Sequence, residues 1–417
     1  MNNNVSKVVH QSFSAEAGIG LPVALSWSYK NKSGRYLPYT GDGLRNNKHN
    51  QYPQYLSRLV YESPTHGAAI NRKSFMIKGQ GIKTSDLTRT LQNLLKKVNN
   101  DFETINDIHA KISNDYAIFN GFAVEVQWSV SGTITEIYHI PFENVRIGSI
   151  SNGIVQDYVI SNDWTGRLNP DFVTTYSIKP YNKKVFDNIQ RDELGIPVVT
   201  DEMVSNGKQL IYFKRYNSAA ASGMIFYPVP DYISALDVIE TEKMIHISNK
   251  SLLDNGFGGK ILITFPFASA DDTEKEEIFN SLIASFSGAS KNGNIIAQFA
   301  PDKDSLPQVD KLESLSADTF VNVEKSVKQA IVTAHGIPSI LLEMNEGGGF
   351  NNRAEEMKAA YDVFQKTKIK DYQNDLVRFY RSLFADYGFP DEEVQIIPFT
   401  LDDDTQQAEG NTSLQTQ

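Results

Sequence analysis

The stretch DYISALDVIETEKMIHISNKSLLDNG, residues 231–256, decides how the chain is to be read. Its apolar residues recur at helical spacing, with Asp231 placed to cap the start and Gly256 to end the run. The spacing predicts a helix from Asp231 to about Leu253, which at 1.5 Å per residue is about 35 Å long. On a helical wheel Ile233, Leu236, Ile239, Met244 and Ile247 fall on one side, while Val238, Ile245 and Leu252 fall roughly opposite. Two apolar sides call for neighbours on both flanks, which a buried hairpin helix or a subunit contact would each supply.

Downstream lies a compact insert: a strand from Lys260 to Phe265, a helix from about Asp271 to Phe286, and a strand from Asn294 to Phe299. A second helix is expected over Ala317 to Ala334, with Phe320, Val323, Val327, Ala330, Ile331 and Ala334 on one stripe. It stops at His335-Gly336-Ile337-Pro338, where Gly and Pro both oppose continuation. After Asn345-Glu346-Gly347-Gly348-Gly349-Phe350-Asn351-Asn352 a long helix is predicted from Arg353 to Phe384, and the polar tail from Thr405 has the composition of a disordered segment.

Upstream, Phe122 to Trp128 alternates apolar and polar residues, and Ser131-Gly132 turns it into Ile134 to Ile140, an antiparallel hairpin. Further strands are expected at Val145 to Ile150, Ile154 to Ile160 and Gln209 to Tyr216. Helices are expected over Ser85 to Asn99 and Asp101 to Tyr116, the latter with Phe102, Ile105, Ile108 and Ile112 inward. Ser63-Pro64 should break or start a helix. The whole is an α+β chain, preceded by a polar arm to about Asn50 that orders on assembly.

Composition limits the chemistry. The 417 residues hold no cysteine, which removes disulfides, thiolate metal sites and cysteine nucleophiles. No stretch approaches the roughly 20 apolar residues of a membrane span, and the start lacks the features of a secretory signal, so the expectation is assembly in the cytoplasm. The net charge of -10 should repel nucleic acid. That argues against a tight grip on DNA and is compatible with a protein past which DNA slides, although solubility alone explains it equally. Gly258-Gly259-Lys260-Ile261 is not a phosphate cradle, because Asp254 stands where the first Gly belongs and Ile261 where a hydroxyl is needed. The seven histidines form no zinc motif, and His335 at a helix end reads as a dipole partner or cap. Asp271, Asp272, Glu274, Glu276 and Glu277 sit where acids favour a helix start. Neither a cofactor, a metal site nor a catalytic residue is expected.

Three motifs in order resemble the portal, or head-to-tail connector, family of tailed bacteriophages. They are Tyr52 to Leu56 with Ser63-Pro64-Thr65-His66-Gly67-Ala68-Ala69-Ile70 and Gly79-Gln80-Gly81; Ala334-His335-Gly336-Ile337-Pro338-Ser339-Ile340-Leu341-Leu342; and Asn352-Arg353-Ala354-Glu355 opening a helix that contains Phe364. The resemblance spans roughly Pro53 to Phe384. It implies a ring, usually of twelve subunits, at one capsid vertex of the virion, conducting double-stranded DNA non-specifically during packaging and ejection. Implied partners are the major capsid protein, the terminase large subunit and a head-completion, adaptor or tail protein, with no membrane. The implied organisation is an arm (1–50), an α+β wing (51–228), a two-helix stem (229–256 and 316–342) around a small α/β clip (257–315), a tunnel loop (343–352), a long C-terminal wing helix with a short end (353–404) and a tail (405–417). Asn345, Gly347, Gly348, Gly349, Phe350, Asn351 and Asn352 would then face the channel, and Lys243, Lys250, Lys325 and Lys328 are candidate stem charges lining it. The alternatives are another head-tail or baseplate ring component and a nucleic-acid-processing enzyme.

Overall fold

The computed structural model describes residues 29–31, 34–39, 50–186, 189–216, 226–254, 261–265, 273, 276–277, 280, 295–299, 317–342 and 350–399. In chain order these hold β1 (Tyr29–Asn31), β2 (Gly34–Tyr36), α1 (Tyr52–Glu62), α2 (Pro64–Lys78), β3 (Gly81–Ile82), α3 (Arg89–Leu95) and α4 (Ile105–Phe119). Strands β4 (Gly121–Trp128), β5 (Ile134–Ile140), β6 (Val145–Ile147), β7 (Ile150–Ser151), β8 (Ile154–Val155), β9 (Tyr158–Ser161) and β10 (Thr175–Pro180) follow, then α5 (Asp201–Ser205) and β11 (Lys208–Lys214). Beyond them come α6 (Leu236–Asp254), β12 (Ile261–Phe265), β13 (Ile295–Phe299), α7 (Ala317–His335), α8 (Phe350–Phe364), a π-helical turn (Gln365–Ile369), α9 (Lys370–Asp386) and β14 (Ile396–Ile397). The chain divides into two units, neither continuous in sequence: residues 1–56, 74–229 and 371–403 form the first, and 57–73, 230–370 and 404–417 the second.

The first unit is built on a six-stranded sheet in the order β5-β4-β11-β10-β9-β6, antiparallel except for the parallel pair β10 and β11. Helix α4 packs on β4 and β5, with Ile108, Ile112, Tyr116 and Phe119 buried along with Phe122, Val124 and Val126. Thr104 and Asp107 close a reciprocal capping box at its start. Asn120 ends it in the left-handed region at φ 62° and sends its amide to the Val229 carbonyl, 3.1 Å away. Tyr116 meets Phe122, Phe213 and Tyr372 edge-on. The Gly79-Gln80-Gly81 motif lets the chain turn against β14: a Cβ on Gly79, at φ 57°, would lie 2.2 Å from the Ile397 carbonyl oxygen. Ile82 pairs there with Ile396.

Several expectations are corrected. The arm is not wholly free, since Leu37 donates to the Ile147 carbonyl at 2.6 Å and Tyr39 is buried. The helix expected over 85–99 is confined to α3, and Leu94, expected inward, is exposed. Phe102 lies outside α4 in a loop, with φ 61° and 77% of its surface exposed, because Asn99 stitches the turn ahead of the Thr104 cap through its side-chain oxygen to the amides of Asp101 and Glu103. Strand β10, half polar and ending in Pro180, was not expected at all.

In the second unit α6 packs on α7, and β12 pairs in parallel with β13, at the places where the sequence puts the two strands of the insert. Asp231 does not cap α6; a single 3-10 turn at Ile233–Ala235 leads in, with Tyr232 before it. The long helix expected from Arg353 begins at Phe350, three residues earlier, and is interrupted by the π-helical turn before α9.

Candidate functional site

Two motifs 269 residues apart in the sequence meet inside the second unit. Ser63 and Pro64 stand at the head of α2, where proline's missing N–H costs nothing and the next amides need acceptors. The acceptor comes from α6. Glu242, wholly buried, takes the hydroxyl of Ser63 on Oε2, and Thr65 gives its Oγ1 to Oε1 at 2.5 Å and its N–H to Oε2 at 3.3 Å. A carboxylate at a helix N-terminus, held by charge-assisted hydrogen bonds, is a favourable way to bury a charge. Gly67 lets α1 pass close by, since a Cβ there would lie 2.4 Å from the Val60 carbonyl oxygen.

One residue earlier, His66 Nδ1 lies 2.9 Å from His335 Nε2 at the last position of α7. Both rings are buried and pack against Tyr232, His66 edge-on and His335 stacked. One imidazole must donate and the other accept. Their outer nitrogens, His66 Nε2 and His335 Nδ1, are buried and have no hydrogen-bond partner among the described residues. Burial draws the His66 pKa down to about 3. For His335 the shift has the same sign, from burial first and then from His66, Lys73 and Lys368, with Asp231 opposing. Burial therefore disfavours the charged form of His335 at the end of α7, where the sequence reading has a dipole partner or cap. Gly336 follows at φ 65° and ends the helix. Nearby, Asp231 Oδ2 is shared by Lys73, itself buried, at 3.4 Å and Lys368 at 3.0 Å.

The buried arc of α6 runs through Leu236, Ile239, Glu242 and Ile245. Met244 and Ile247, expected beside Leu236 and Ile239, point outward instead, 62% and 51% exposed. The reason is Glu242: a hydropathy wheel sends it to solvent and so rotates the inferred inner face. On α7 Val327, Ile331 and Val332 are buried, while Val323 and Ala330 of the expected stripe are exposed.

Among the four candidate stem lysines, Lys243 and Lys328 lie beside carboxylates. Lys243 Nζ lies 2.9 Å from Glu62 Oε2 and Lys328 Nζ 2.6 Å from Glu324 Oε1, while Lys250 and Lys325 are exposed. Asn345, Gly347, Gly348 and Gly349 lie outside the described residues; Phe350, Asn351 and Asn352 form the first turn of α8 rather than a loop. Gly256, Gly258, Gly259 and Lys260 also lie outside, as does most of the acidic run 271–277. Among the described residues no group of three or more His, Asp or Glu is placed to hold a metal ion, and no helix is long and apolar enough to cross a membrane.

The sequence matches no protein-family model and no curated protein. Its fold is similar to that of a chain in the solved structure described as "Neck of empty GTA particle computed with C6 symmetry", with a TM-score of 0.51 at 12% identity, covering 92% of this chain and 94% of that one. A chain of the "Virion of native gene transfer agent (GTA) particle" gives 0.51 at 12% identity over 91% and 89%. At such identity the likeness is one of fold, and it extends over nearly the whole of each chain.

Proposed function

We propose that the protein is a head-tail component of a phage-like particle, and specifically its portal subunit: a ring of twelve copies at one capsid vertex. The ring conducts double-stranded DNA, docks the terminase large subunit during packaging and later takes a head-completion, adaptor or tail protein. The observation that carries this reading is the end-to-end fold similarity to a chain in the neck of a particle. The three ordered motifs add to it, and two of them meet at one joint. In this assignment α6 and α7 form the stem, the segment with β12 and β13 the clip, the first unit the wing, and residues 343–352 a constriction at the channel. Lys243, Lys250, Lys325 and Lys328 on the stem helices are the candidates for softening an acidic channel, Lys250 and Lys325 being exposed.

The role is mechanical rather than catalytic, with packaging energy supplied by a partner. A second reading, another ring component of the head-tail region, is favoured by the word "neck", which describes a place in a particle and not one protein.

Class averages of the purified protein viewed down its axis test the proposal. Closed rings, twelvefold in the favoured case, are expected. Only monomers or dimers across salt and concentration would overturn it, and labelled copies seen in the tail rather than at the capsid vertex would favour the second reading.

A further inference from the structure

We propose that the contact between His66 and His335 is a proton-operated joint, closed while both imidazoles are neutral and opened by acid, so that protons release the C-terminal end of α7 from the first turn of α2. The inference rests on side-chain geometry within the second unit and is independent of the portal reading.

The contact holds only while one hydrogen lies between the two facing nitrogens, donated by either ring. At 2.9 Å, His66 Nδ1 and His335 Nε2 share a single hydrogen. If both rings are protonated, N–H faces N–H across that distance and the bond becomes a repulsion. A first proton is already opposed. It would put charge into a buried site whose outer ring nitrogens find no acceptor, and an unpaired charge there lacks the solvation it would have in water.

Charged and titratable groups face the pair from α2, α6, the turn before α6 and the π-helical turn. Lys73 on α2 and Lys368 in the π-helical turn disfavour a further cation. Asp231 favours one, but it is already shared by those two lysines. Glu242 on α6 is turned to Ser63 and Thr65, and Tyr232 presents a ring face. No carboxylate among the described residues accepts from either imidazole. This separates the pair from His109, whose Nε2 donates to the Lys78 carbonyl and whose Nδ1 accepts from Tyr380, so that both nitrogens are satisfied.

The sign follows from linkage. A group whose pKa lies below its unfolded value of about 6.5 binds its proton in the open form first, so falling pH favours opening. For one excluded proton the opening constant rises about tenfold between pH 7.5 and pH 5.5, and about a hundredfold if both are excluded.

Amide hydrogen exchange on the full chain, corrected for the intrinsic pH dependence of exchange, reads this directly. Residues 331–336 should open about tenfold or more at pH 5.5 relative to pH 7.5, beyond any change in 108–117. The double variant His66→Asn and His335→Gln places amide groups where the bonded nitrogens stood and cannot titrate; it should lose that excess. An unchanged end of α7 in the wild-type protein, or the full excess persisting in the variant, overturns the proposal. Should the variant not fold, NMR of labelled histidine decides on the wild type alone: neither ring should titrate near 6.5 in the closed form, and a resonance of either one doing so would refute the joint.

Discussion

Arg146 Nε donates to the side-chain oxygen of Asn50 at 2.7 Å, and Arg146 Nη2 donates to the backbone oxygen of the same residue at 2.7 Å. The guanidinium is wholly buried and finds no carboxylate among the described residues. Three more neutral oxygens, the carbonyls of Glu143 and Val145 and the side chain of Gln54, complete its fan of donors, and the plane packs on Trp164 at 4.8 Å. Burial lowers its pKa to about 10, so it stays charged at neutral pH. Asn50, at φ 58°, takes the Tyr39 amide on the same side-chain oxygen, which ties Tyr39 to the Arg146 site.

Replacing Arg146 by Met should therefore cost about 3 kcal/mol or more, because five acceptors, three of them in buried bonds, lose this donor at once. Lys should rescue little, since one ammonium cannot reproduce a planar fork. Urea denaturation followed by the midpoint at constant slope measures both. A loss below about 1 kcal/mol would mean that water replaces the guanidinium.

The exposed apolar pair on α6 bears on assembly. Met244 and Ile247 lie one turn apart on the outward side of a helix whose inward side is already filled. Substituting both by Glu should leave the monomer's unfolding free energy within about 0.5 kcal/mol of wild type, as exposed changes do. The same double substitution should abolish closed rings in mass photometry, because charge in an apolar contact is left without a partner. Rings of normal size and stability would show that this side of α6 faces solvent in the assembly.

A pH dependence follows from His109. Its pKa is lowered to about 4, by burial first. A depressed histidine contributes stability that is complete above the unfolded value near 6.5 and is lost as pH falls towards 4. The unfolding free energy should drop by about 1.4 kcal/mol per pH unit for this residue below pH 6. His109→Gln should flatten that limb while lowering stability at pH 7.5. An identical slope in the variant would place the titration elsewhere.

Much of this architecture was readable from local pattern. The break at Ser63-Pro64, the hairpin of β4 and β5, and the helices α6 and α7 follow from turn chemistry and from apolar residues at strand or helix spacing. What escaped is polar and distant. Glu242 is buried because hydroxyls 179 and 177 residues away hold it, and His66 because His335 does. Periodicity counts such residues as surface, so the inner face of α6 was inferred too far round. Phe102 was drawn into a helix because an apolar residue at the right spacing looks inward, whereas the side chain of Asn99 fixes the loop that turns it out. Strand β10 escaped for the opposite reason: its interior neighbours supply the pairing that its own composition does not advertise.

The pairing of Ile82 with Ile396 has a consequence in time rather than in space. During synthesis at about 5–20 residues per second, β3 leaves the ribosome long before β14 exists. Until β14 arrives, the backbone at Gly81 and Ile82 offers an unpaired edge to whatever strand is near. Because both units draw on separated segments, neither can be finished early and set aside while the other is made. The nascent chain must stay soluble as an incomplete object for most of its translation, and a product that stops short of Ile396 is left with an open seam.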